Sequence, residues 1–101
     1  MDGALERGRD SFARKAWGAA FAELSAADAD APLQPEDLRL LETSAALIGK
    51  DDEAEHYGTR AHHALLRRGD RPGAARAAFW LGMRLFNQGE MAKGGGWLAR
   101  A

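Results

Sequence analysis

The sequence contains no cysteine and no valine, only three prolines, and β-branched residues limited to Thr43, Ile48 and Thr59. Without cysteine there can be no disulfide and no thiolate metal site, which fits a reducing cytoplasm. Scarce β-branched residues and abundant alanine disfavour strands, so an all-helical chain is expected. No apolar run approaches the ~20 residues of a membrane span, so no membrane insertion is expected. The opening stretch MDGALERGRD is charged and has no apolar core, so it does not read as a signal peptide. Net charge is −1, which gives no general attraction to nucleic acid or to an anionic membrane.

What is present is helical periodicity. At 101 residues the chain reads as one domain, 1–101, able to bury roughly 60–70% of its unfolded surface. Leu5, Gly8 and Phe12 mark one face of a first helix. After a short connection at Lys15-Ala16, Trp17, Ala20, Phe21, Leu24 and Ala27 mark a second. The segment from Asp28 to Gln34 reads as a loop, broken by Pro32. Pro35, Glu36 and Asp37 suit the start of a third helix, whose buried face is Leu38, Leu41, Ala45 and Ile48 and whose cap is Gly49.

Asp51, Asp52 and Glu53 open a fourth helix carrying Ala54, Tyr57, Ala61, Ala64 and Leu65, stopped by Gly69. Asp70 as N-cap and Pro72 in the first turn start a fifth. That helix is apolar on two sides, with Ala75, Ala78, Phe79, Gly82, Leu85 and Phe86 on one and Ala77, Trp80 and Leu81 on the other. Gly89 ends it, and a sixth begins at Glu90 and remains apolar to Ala101. The expected plan is three antiparallel hairpins, about 3–28, 35–69 and 70–101. Small residues, Gly82 and Gly94 among them, should allow close helix contacts. Trp97, Leu98 and Ala101 have no later helix to cover them. They are expected to meet further chain or a second copy, giving a possible homo-oligomer through this end.

Candidate chemistry is sparse. His56 and His63 are a full seven residues apart, too far along a helix axis for joint metal ligation, and His62 points elsewhere. Lys93 before Gly94-Gly95-Gly96 lacks the spacing of a phosphate loop. The acidic run from Asp51 is explained by the helix dipole. Ser11, Ser25 and Ser44 have no nucleophile constellation. No catalytic residue, metal or cofactor is expected.

The hairpins repeat one another. Gly8, Trp17, Ala20, Leu24, Ala27 and Pro32 stand in the first. Leu41, Ala45, Gly49, Ala54 and Ala61 follow in the second, and Leu81, Gly82, Leu85, Gly89, Gly94, Leu98 and Ala101 in the third. This pattern resembles the tetratricopeptide repeat, which implies a right-handed superhelix of stacked hairpins. Two positions depart from it in size, Glu42 standing where a small residue belongs and Gly58 where a large one does; Pro32 also has no counterpart in the later hairpins, and the middle unit is stretched. The run from Arg14 to Glu55, with ARAAFWLGMRLFNQGEMAKGGGWLARA after it, also resembles the helical-repeat segment of LuxR-type bacterial transcriptional regulators. No helix-turn-helix is present, so the resemblance implies no direct DNA binding by this chain.

The resemblance further implies that the first helix of each pair lines a concave face. The matching positions are Leu5, Arg9 and Phe12; Arg39, Thr43 and Ala46; and Arg76, Phe79, Met83 and Phe86. Arginines, aromatics and a flexible methionine suit a peptide with apolar anchors and some acid. The expected partner is a protein or peptide, or a downstream domain of the same protein. The alternatives are a self-associating fragment, an effector-sensing domain, or aromatic residues that only fill the core.

Overall fold

The computed structural model describes residues 3–101. Six helices follow in order: α1 Ala4–Ala13, α2 Trp17–Asp30, α3 Pro35–Leu47, α4 Asp51–Arg68, α5 Arg71–Asn87 and α6 Met91–Leu98. No strand occurs among the described residues. The all-α expectation and the six helices therefore hold. The boundaries move at two places. The second helix runs on to Asp30, leaving a loop of 31–34, and the last stops at Leu98, with Ala99–Ala101 in a turn.

One kind of turn closes four of the five connections. Gly49, Gly69 and Gly89 sit at φ of 81°, 83° and 84°, and Lys15 takes the same left-handed conformation at 61°. In each case the next amide bonds back to a carbonyl inside the preceding helix. Ala16 N–H meets Ser11 O at 2.9 Å, Lys50 meets Ala45 at 2.8 Å, Asp70 meets Leu65 at 2.9 Å and Glu90 meets Leu85 at 2.9 Å. This Schellman geometry satisfies carbonyls that a helix end would leave bare. Asp70 then caps α5 by accepting the Gly73 N–H at 2.9 Å, as its sequence position implies.

Each helix packs on the one before and the one after, and α1 also touches α3. The three hairpins share a register at an i, i+16 offset. A Cβ on Gly8 would meet the Leu24 side chain at 2.6 Å, and one on Gly82 would meet Leu98 at 2.9 Å and the Gly94 carbonyl at 3.0 Å. In the middle hairpin the sizes are exchanged: Glu42 projects from the first helix and Gly58 leaves the room, with Glu42 Oε2 2.6 Å from a Cβ at that position. The two departures from the repeat pattern are thus halves of one contact.

Leu24, Leu41 and Ala20 are fully buried, with Leu5, Phe12, Phe21, Leu33, Leu40 and Tyr57 packed around them. Ala78, Leu81 and Leu85 continue the core along α5, and Leu65, Ala74 and Ala77 join α4 to α5. Ile48 does not belong to it. It is the residue after α3, 37% exposed, because the chain leaves the helical track there for the Gly49 turn. Trp80 is also outside, at 57% exposed. Ala77 and Leu81 on its side of α5 are buried, but Trp80 borders the opening between α5 and α3, away from the Gly82 and Phe86 positions that meet α6. Leu98 fills the hollow over Gly82, and Trp97 lies edge-on to His62 with centroids 5.1 Å apart. Both are half-buried by their own chain rather than bare.

Arginine–carboxylate pairs tie hairpin to hairpin. Arg9 on α1 donates twice to Asp37 on α3, at 2.9 and 2.8 Å. Arg60 on α4 donates twice to Asp28 on α2, at 2.7 and 2.9 Å. Arg84 on α5 pairs with Glu42 on α3. Bidentate charge-assisted bonds of this kind fix geometry as well as adding energy.

Candidate functional site

The expected lining residues do not all share one surface. Leu5 and Arg9 border a cleft between the start of α1 and the end of α2. Arg9 is committed to Asp37, whose carboxylate is buried. Phe12 is half-buried on the core and meets Trp17 edge-on at 5.2 Å. Phe86 is half-buried and closes over Gly94, where a Cβ would stand 2.8 Å from its ring. These two aromatics are packing residues. Ala46 is half-buried on α3.

Arg39, Thr43, Arg76, Phe79 and Met83 gather on the faces of α3 and α5. Arg39 and Arg76 border one shallow hollow. Arg39, Thr43 and Met83 border a larger cleft of about 430 Å³ together with Trp80, Arg84, Asn87 and Glu42. Phe79 is 40% and Met83 37% exposed, and the Phe79 and Trp80 rings meet edge-on at 5.1 Å. Arg76 is exposed and has no ion pair among the described residues.

Glu42 forms the floor of this cleft. Its carboxylate is nearly sealed from water, held by Arg84 at one oxygen and by Arg39 at the other, 3.1 Å away. Burial pushes the Glu42 carboxyl above its ordinary range, and the Arg84 and Arg39 charges pull it back only in part. Arg39 Nε and Glu42 Oε1 are close without hydrogen-bond alignment, so this pair is an electrostatic contact. Two guanidinium groups against one carboxylate leave one positive charge at the cleft.

Trp80, Arg84 and Glu42 were absent from the sequence-based set. Trp80 is hidden by the apolar run around it, since nothing local says which side of α5 remains uncovered. Glu42 did leave a signal, a charged side chain at a small-residue position.

Of the three histidines only His62 packs inside, while His56 and His63 are exposed. His62 is buried and its Nδ1 donates to the Ala74 carbonyl at 2.9 Å. Burial, followed by the nearby His62, Arg100 and Arg67, lowers the His63 pKa. Arg100 stacks over the Trp97 ring at 4.5 Å. Among the described residues no three His, Asp or Glu side chains converge as a metal site would require.

No protein-family model matches the chain, and no curated protein matches it.

Proposed function

We propose that this chain is a non-catalytic interaction module that engages a protein segment across α3 and α5. The observation that carries this reading is the exposed group Phe79, Trp80 and Met83 on α5 beside Arg39, Arg76 and Arg84. Neighbouring exposed aromatics with Met and Arg are the composition of binding hot spots. The repeated hairpins with one register support a tetratricopeptide-like stack. On the sequence resemblance, the parent role is the helical-repeat part of a LuxR-type regulator acting in the cytoplasm.

A photo-crosslinking amino acid placed at Trp80, and separately at exposed Leu66 on α4, tests the module in its native host. Crosslinks to a defined protein from position 80 and none from 66 support the reading. No crosslink from position 80, with the fold intact, counts against it. The regulator assignment is checked by the coding sequence after Ala101: an in-frame helix-turn-helix supports it.

A further inference from the structure

We infer that the α3–α5 cleft seats a partner segment presenting one carboxylate beside a large apolar side chain. Arg39 and Arg84 take the acid, and Trp80 and Met83 take the apolar group. This rests on the interaction-module reading and specifies the chemistry of its occupant.

The buried triad is the first reason. At this register the other hairpins use a glycine and a leucine, Gly8 with Leu24 and Gly82 with Leu98. A carboxylate with two arginines is a costlier filling than packed hydrophobic groups. It does, however, hold two guanidinium groups at the mouth of a cleft. The Glu42 side chain is 3% exposed while those of Arg39 and Arg84 are 33% and 23% exposed. The negative charge is therefore turned inward, while both arginine side chains line the cleft and are partly exposed there. Each guanidinium has five N–H groups, more than Glu42 can occupy, and the surplus positive charge selects an acid over a base.

The second reason is the apolar wall. Trp80 and Arg84 lie four residues apart on one face of α5, so their seats are about 6 Å apart along the helix axis. A partner helix meets that spacing with an acid and an apolar residue at i and i+4. Trp80 already has two side chains of support, Phe79 on its edge and Met83 one turn on, so little ordering of the wall is needed when it is covered.

The probe is a random 16-residue peptide library displayed on phage and selected on the whole chain, followed by titration of the most enriched peptide in synthetic form. Enriched sequences should carry Asp or Glu one helical turn from Leu, Phe or Trp. Replacing that acid by its amide should weaken Kd about tenfold or more, as should Trp80→Ser, and raising salt should weaken it several-fold. Because removing the arginines alone strands Glu42, the triple variant Arg39→Gln/Glu42→Gln/Arg84→Gln, which leaves no charge at the cleft, is used with circular dichroism as the folding check. It should bind the acid and amide peptides equally. Enriched peptides whose binding ignores the acid or Trp80 overturn the seat while leaving the module reading standing. No enrichment also overturns the seat, and crosslinking at position 80 then decides separately whether the module reading survives.

Discussion

Glu42 Oε2 occupies the hollow left by Gly58: a Cβ at position 58 would stand 2.6 Å from it. In the flanking hairpins the first helix supplies the glycine and the second the bulk, and here the order is reversed. The pair behaves as a unit. Glu42→Gly leaves a cavity and two unpaired arginines, and Gly58→Leu alone collides with the carboxylate. Each should cost roughly 2–4 kcal/mol. The double variant restores the size order of the other hairpins and should recover about 1–3 kcal/mol of the summed loss. Urea unfolding of all four proteins checks this; strictly additive losses would show that the two sites are not coupled.

Gly82 faces both Leu98 and the backbone of Gly94, so little can yield there. Gly82→Leu should destabilise by roughly 1–3 kcal/mol through overpacking. An unchanged or higher melting temperature would refute the close approach of α5 and α6.

Lys15 adopts a backbone conformation that Gly49, Gly69 and Gly89 take at the equivalent turns. A side chain pays a steric cost there that glycine does not. Lys15→Gly should therefore stabilise the chain by about 0.5–1 kcal/mol, after the extra unfolded-state freedom of glycine is set against the gain. Loss of stability in thermal unfolding would mean that the Lys15 side chain contributes more than its position suggests.

The Arg60 hydrogen bonds hold the Asp28 carboxyl below its ordinary pKa, with burial opposing them and the Leu33 amide helping. The native state therefore favours the carboxylate more than the unfolded chain does. That contribution is present above the ordinary carboxylate value and is lost as pH falls through the lowered native one. Asp28→Asn should cost roughly 1–2 kcal/mol at pH 7. It should also flatten the stability profile below about pH 4. A variant that loses as much stability on acidification as the native chain would place the acid sensitivity elsewhere.

Much of the helical plan was legible because its signals are local. Pro35, the acidic start at Asp51, Asp70 with Pro72, and the glycines at 49, 69 and 89 each act within one turn of their position. The contacts that shape the cleft are not local. Arg84 meets Glu42 from two helices away, and Trp80 stays exposed because it borders the opening between α3 and α5. Arg9 looked equivalent to Arg39 and Arg76 by repeat position, but an aspartate on α3 holds its Nε and one terminal nitrogen. Lys15 also gives no sequence sign of a left-handed turn, since its neighbours carry no glycine.

Trp97 stands between His62 and Arg100, joining the last helix to the fourth through ring contacts. Its indole is consequently an optical gauge native to the chain. With α6 seated, the ring is held against imidazole; with α6 released, it enters water and its emission should shift to the red. Trp97→Phe identifies that component among the three tryptophans. Fraying of the final helix can then be followed apart from melting of the remaining hairpins, without attaching a dye.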